Sequence, residues 1–250
     1  MMAEKTTYND VVIDVRDLCK AFGENHVLQD FSMQLHKGEN VVVLGRSGSG
    51  KSVFIKCIIG LLEADSGSIA VLGKEVMDLD QHLLDQLRVD VGFLFQSNAL
   101  YDSMTVRENL EFPLRRHMSG ISSVDRDERV MRALTDVGLA FTVDMLPEEL
   151  SGGMKKRVAL ARALILQPKI ILYDEPTTGL DPITAREINE LILQVQKLYN
   201  TSSIIISHDM NCVRQTANRV VLLIDGKCYA EGSPDILEKS NDPFVHAFFD

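Results

Sequence analysis

No apolar run in this 250-residue sequence approaches the roughly 18 residues a helix needs to cross a bilayer. The best candidates, residues 41–44, 170–173 and 220–224, are strand-sized, so the chain is not expected to cross a membrane by itself. Cysteine is scarce. Cys19, Cys57, Cys212 and Cys228 are scattered without a Cys-x-x-Cys pair, which favours reduced thiols over a disulfide frame or a zinc site. Basic residues are in deficit, with 26 Lys and Arg against 36 Asp and Glu. The resulting net charge of -10 argues against a nucleic acid partner, whose phosphates reward a basic face. Residues 1–10 carry no apolar leader core, which would leave the chain in the cytoplasm. Repeats and low-complexity tracts are missing as well.

What is present reads as a folded protein. The sequence is 45% hydrophobic and 25% charged, and at this length one or two domains bury a core without disulfides or a structural metal. Short β-branched runs recur at 11–15, 41–44, 91–95, 170–173, 203–206 and 220–224, with helical patterns between several of them, which is an α/β signature. Residues 11–15 and 31–35 alternate apolar with polar side chains, as half-buried antiparallel strands do. The later runs are apolar throughout, as central parallel strands are, so a mixed sheet is expected. Between Asn98 and Gln167 the signals turn helical: Thr105 and Glu108 form a capping box, and Ser123 precedes a charged amphipathic stretch to Val137. We therefore expect a single unit over 1–250, with an α/β core at 1–97 and 168–232, a helical subdomain inserted at 98–167, and a tail helix within 233–250.

Two clusters carry chemistry. Gly45-Arg46-Ser47-Gly48-Ser49-Gly50-Lys51-Ser52 follows the strand at 41–44 and opens a helical pattern, the context that Gly-x-x-x-x-Gly-Lys-Ser requires. Its glycines let backbone N–H groups converge on phosphate oxygens, Lys51 reaches the outer phosphates, and Ser52 can hold magnesium. The run Ile170-Ile171-Leu172-Tyr173 ends in Asp174-Glu175, two acids at the tip of a buried strand. Asp174 suits the magnesium of a bound nucleotide, and Glu175 suits the base that orients attacking water, which makes ATP hydrolysis the expected reaction.

Further segments resemble the ATP-binding cassette ATPases of transporters over nearly the whole chain. Leu150-Ser151-Gly152-Gly153-Met154 resembles their signature motif, which in that family meets the γ-phosphate held by the opposite subunit. Ser151 is a good N-cap, and Lys155, Lys156 and Arg157 add positive charge near that helix start. By the same resemblance Gln96 is the Q-loop glutamine contacting magnesium and water, and His208 is the switch histidine at the γ-phosphate. Asp181, in Gly179-Leu180-Asp181, belongs to the loop that crosses the dimer interface. Phe22 stands where the family stacks a ring on adenine, a core phenylalanine being the other reading. The resemblance implies a P-loop NTPase fold, a RecA-like core with an antiparallel β subdomain and an inserted helical subdomain. It also implies ATP and Mg2+ as ligands and a second copy of the chain as partner, because one copy carries each motif once.

Within the family, Phe95-Gln96-Ser97-Asn98-Ala99-Leu100-Tyr101-Asp102-Ser103-Met104-Thr105-Val106 looks like the ATPase subunits of Mla and Mce-type lipid transporters. So do Met154 at the end of the signature and Phe112-Pro113-Leu114-Arg115. That resemblance implies a homodimer at the cytoplasmic face of the inner membrane, powering phospholipid movement of the kind that maintains outer-membrane lipid asymmetry. The permease would be a separate chain received by residues 97–106, from Ser97 to Val106, and a lipid-binding Mce-domain protein would complete the complex. Leu100, Tyr101 and Met104 offer the permease an apolar patch, or else pack in the core. Thr177-Thr178-Gly179-Leu180-Asp181 is common to many transporters and does not favour lipid cargo. The alternatives are an importer or exporter ATPase for another solute, and an iron–sulfur assembly ATPase. The apolar tail could dock on a neighbouring copy or cover its own domain.

Overall fold

The computed structural model describes residues 10–249. Residues 1–9, on which the leader reading mostly rests, and Asp250 of the tail lie outside them.

Two sheets form where strand patterning alone suggested one mixed sheet, and the smaller is the antiparallel β subdomain that the family resemblance implies. β1 (Val11–Phe22), β2 (Asn25–His36), β4 (Ser66–Val71) and β5 (Lys74–Glu75) make an antiparallel sheet in the order β2-β1-β4-β5. The other sheet holds β3 (Asn40–Leu44), β6 (Val91–Leu94), β7 (Ile170–Asp174), β8 (Ser202–Ser207), β9 (Arg219–Ile224) and β10 (Lys227–Gly232). Its order is β10-β9-β3-β8-β7-β6, with β10 alone antiparallel. The split follows burial: β3, β7 and β8 are buried at every residue and need cover on both faces, whereas β1 and β2 alternate and present one face only.

Period-two alternation assigns each face of the second sheet to its own core. Val42, Leu44, Ile171, Tyr173, Ile205 and Leu222 point toward α3 (Val106–His117), α4 (Ser123–Asp136), α5 (Gly152–Leu164) and α6 (Pro182–Tyr199). Val41, Val43, Leu172, Ile204, Ile206 and Val221 face α1 (Lys51–Ile58) and the antiparallel sheet. The product is a layered α/β P-loop fold with β3 between β8 and β9, so the loop after β3 sits at the middle of the sheet's carboxyl edge. A short α2 (Gln81–Leu87) precedes β6, and α7 (Met210–Thr216) follows β8.

Local signals account for most helix starts. The Thr105 hydroxyl accepts from the Glu108 N–H at 3.2 Å while the Glu108 carboxylate accepts from the Thr105 N–H at 2.8 Å, the reciprocal cap that starts α3. Helix α4 is capped by Ser122, one residue earlier than its periodicity suggests. The tail is two short helices, α8 (Pro234–Glu238) and α9 (Pro243–His246), not one. Helix α8 ends at its C-cap Lys239, and Asp242 caps a new start with Pro243 at the first helical position. Val245 and Phe249 are buried in the chain's own core, so one face of the tail covers its own domain, while Phe244 is 64% exposed. Among the described residues, no helix is long and apolar enough to cross a membrane.

An ion pair within the second sheet also reaches the first. Glu39, 2% exposed at the entry to β3, accepts two bonds from the Arg219 guanidinium of β9, at 2.8 and 2.9 Å. The same arginine donates to the Gln34 carbonyl of β2 at 2.6 Å. Replacing one partner strands a buried charge, which costs about 3–5 kcal/mol. Urea unfolding of Arg219→Met should show a loss of about 3 kcal/mol, and Glu39→Gln on the same chain should recover part of it.

Candidate active site

The P-loop is built by two close approaches. Gly45 lies where a Cβ would stand 2.6 Å from the Leu223 carbonyl, and at Gly50 it would stand 2.8 Å from the Val27 carbonyl. Gly50 also has φ 101 as N-cap of α1, a value open to glycine alone. The loop therefore turns tightly and delivers its backbone to the N-terminus of α1, an anion site by construction. Lys51 is folded back into the loop, donating to the Gly45 and Arg46 carbonyls at 2.8 and 3.0 Å, with Glu175 at 3.9 Å.

The carboxylates meet it from β7. Strand register sets Leu44 beside Ser207 and Asp174 beside Ile206, so the ends of β3, β7 and β8 lie side by side. Ser52 donates to Asp174 at 2.9 Å. Glu175 has φ 51, in the left-handed region that a glutamate rarely occupies, and its N–H is held by the Ile206 carbonyl at 3.0 Å. Its carboxylate receives the Thr178 hydroxyl at 3.0 Å and contacts His208 Nδ1 at 2.8 Å. His208 is exposed, while Lys51, Asp174 and Glu175 are each less than one tenth exposed.

Electrostatics show what is missing from the balance. Burial pushes the Lys51 ammonium below the usual lysine value, opposed by Glu175 and Asp174. Burial likewise raises Asp174 above the usual carboxylate range, opposed by the Ser52 hydrogen bond. Both charged forms would gain from a ligand that brings phosphate to the lysine and a cation to the aspartate. The Ser49 hydroxyl, buried in the loop without a hydrogen-bond partner, is a further point of attachment. Among the described residues no cluster of three His, Cys, Asp or Glu could hold a metal alone. A hydroxyl and one carboxylate beside a phosphate cradle fit magnesium, which is usually held by one or two carboxylates plus substrate phosphates.

Other expected residues fall elsewhere. Gln96 is exposed just past β6. Ser151 caps α5, accepting from the Met154 N–H at 3.2 Å, and with Gly152 it is exposed to solvent. A cavity of about 680 Å³ on the flank of the P-loop, lined by Val27, Arg46, Ser49, Phe244 and Phe248, includes no residue of the signature. Asp181 caps α6 by accepting from the Ile183 and Thr184 N–H groups at 3.0 Å each, a structural duty its motif did not suggest. Phe22 is 50% exposed at the end of β1 with Lys20 5.4 Å from its ring, so it is not a core residue.

The geometry matches known proteins. The family described as ABC transporter matches residues 28–178. A probable ribonucleotide transport ATP-binding protein from Mycobacterium leprae is 39% identical over 95% of this chain and 68% of its own length. The chain belongs to the ABC transporter family. Trigalactosyldiacylglycerol 3, a chloroplastic protein of Arabidopsis thaliana, is 38% identical over 96% of this ABC chain and 74% of that protein. A solved structure of the ATP-binding cassette MJ0796 as a dimer in a post-hydrolysis state, with ADP and Pi, superposes with a TM-score of 0.81 at 31% identity. It covers 88% of this chain and 98% of that one. ABC ATPases bind ATP, form dimers and work with membrane permeases, and this chain is an ABC transporter ATPase subunit.

The segment expected to receive a permease, residues 97–106, divides differently from its hydropathy. Leu100 packs against the core and Met104 is half-buried, while Tyr101 is exposed against Phe112 at 5.0 Å. Beside them opens a cavity of about 320 Å³, lined by Phe93, Phe95, Tyr101, Phe112 and Arg162. Sequence reasoning missed Asn109, which is fully buried and ties the Tyr101, Met104 and Thr105 carbonyls together at 3.0–3.1 Å. It missed Thr178, and it misjudged Lys156. That lysine is 2% exposed, not charge on the helix surface, and donates to the Gln96 carbonyl at 2.7 Å. Its place in the stripe Gly153, Lys156, Leu160, Leu164 was the signal available.

Proposed function

We propose that this subunit hydrolyses ATP to power phospholipid movement between membranes, as a head-to-tail homodimer beneath a separate permease at the cytoplasmic face of the inner membrane. The convergence of Lys51, Ser52, Asp174, Glu175 and His208 at the ends of three adjacent strands carries the catalytic part. Lys51 and the N–H groups from Gly48 to Ser52 bind and orient the phosphates. Glu175 positions a water for in-line attack on the γ-phosphorus and takes its proton as the bond to the ADP oxygen breaks, with His208 orienting Glu175 and steadying the departing phosphate. Magnesium, when bound, would neutralise phosphate charge, and Ser52, Asp174 and Gln96 would hold it. Ser151, Gly152 and Gly153 bind phosphate in the opposite copy, Asp181 lies at the interface between copies, and Phe22 stacks on adenine.

Support for lipid cargo comes from the 95–106 run with its exposed Tyr101, and from a relative named for a galactolipid. In this reading Tyr101 and Phe112 receive the permease, and an Mce-domain protein belongs to the same complex. The core spans 1–97 and 168–232 and the helical subdomain spans 98–167. A second reading, an ATPase for another solute, is favoured by the methionine import protein MetN of Clostridium tetani, 39% identical over 86% of this chain.

Glu175→Gln should lower the ATP turnover rate by about 100-fold or more while ATP remains bound, as expected on losing a general base. Parental turnover in a steady-state phosphate-release assay would remove Glu175 from this role. Isolating the tagged chain from gently solubilised membranes should bring a multi-span permease and an Mce-domain protein with it. A permease without an Mce-domain protein would favour the second reading, and no membrane partner would overturn both.

A further inference from the structure

Two cations on α5, the buried Lys156 and the half-buried Arg162, have no part in the proposed mechanism. Lys156 is 2% exposed, with burial pushing its ammonium down to about 8 against the opposing fields of Asp174 and Glu175. Its Nζ donates to the Gln96 carbonyl at 2.7 Å. Six residues further along the helix, Arg162 donates to the Ala99 carbonyl at 2.7 Å and to the Asn98 carbonyl at 2.9 Å, with its guanidinium 6.0 Å from the Tyr101 ring. Burying a lysine costs several kcal/mol unless a partner compensates. A helix that needed only to pack would carry an apolar side chain at 156.

The loop so held is unusual. Asn98 and Ala99 have φ 64 and 51, and two consecutive left-handed non-glycine residues persist only where their surroundings impose them. Three of the four carbonyls from 96 to 99 are engaged by side chains of a single helix, and that helix begins at the signature residue Ser151. A rigid helix transmits displacement along its length, about 1.5 Å of rise per residue, so loop and signature share one body.

We infer that Lys156 and Arg162 are positioning residues that clamp residues 96–99 to α5, so that Gln96 and Ser151 move as one unit and a push on Tyr101 reaches both. The inference rests on the reading of Gln96 as a group that acts on the nucleotide's metal or water, and it adds the means by which Gln96 is aligned. Lys156 acts through the Gln96 backbone and touches no reacting atom. The carboxylates of Asp174 and Glu175 lie in its field, and among the described residues Arg162 is held by the two carbonyls and the Tyr101 ring without a carboxylate.

Hydrogen exchange of amides 96–101 in the full nucleotide-free chain gives a direct readout, with Mg2+-dependent ATPase kinetics beside it. In Lys156→Met, loop amides should exchange at least tenfold faster while α5 amides and the melting temperature stay parental. The Mg2+ concentration for half-maximal rate should rise about tenfold, with binding of ATP measured without Mg2+ changed less than twofold. Lys156→Arg, which keeps a donor, should restore both. Parental loop exchange in Lys156→Met would overturn the clamp. A loosened loop with parental Mg2+ dependence would overturn the positioning role, leaving hydrolysis by Glu175 untouched. If Lys156→Met and Lys156→Gln both melted early or loosened α5 as well, Lys156 would be a packing residue and the inference would fail.

Discussion

Three charged side chains, Lys51, Asp174 and Glu175, are held nearly out of water at the carboxyl ends of β3 and β7, and this constraint organises the molecule. Charges so placed are costly unless every partner is in position. The loop turns back to give Lys51 two carbonyls, Ser52 reaches Asp174, and Glu175 accepts a strained backbone to meet Thr178 and His208. Strand order places β3 between its neighbours so that these groups converge, and the two apolar cores on either face of the sheet hold that register. Stability and chemistry therefore share one edge of one sheet.

What each copy lacks is equally physical. The capped start of α5 exposes Ser151 and Gly152 to solvent with Gly153 buried behind them, and in the proposed dimer this terminus would meet an anion that its own P-loop does not hold. In a head-to-tail pair each terminus would face the other copy's phosphate, as closed symmetric assemblies built from a repeated complementary contact allow. ATP would then favour the closed pair by its differential affinity, and hydrolysis would release it.

Much of this was legible from residue order. The loop from Gly45 to Ser52 and the acids ending an all-apolar run declare themselves because phosphate and metal chemistry demand those types at those positions, whatever surrounds them. The layered α/β fold followed from runs of Val, Ile and Leu. β4, β5 and β10 were not legible, since their residues are short, polar or glycine-containing and become strands only by pairing with an existing edge. Arg219, Asn109, Lys156 and Arg162 were hidden for a related reason. Arg219, Lys156 and Arg162 bond to a carboxylate or to carbonyls at least 60 residues away, with only the stripe around Lys156 as a local sign, and Asn109 bonds to nearby carbonyls in a turn that no periodicity marks. The tail showed its proline but not the burial of Val245 and Phe249, which depends on the core they reach.

The central claim is that every ATP site uses the P-loop of one copy and the signature of another. Mixing equal amounts of two inactive chains, Lys51→Ala and Gly152→Asp, tests it most directly. Random pairing makes half the dimers mixed, and each mixed dimer would contain one site with both elements intact. The account predicts ATPase activity restored to about a quarter of the parental value. Activity that stayed at the level of either chain alone would contradict a site shared between copies.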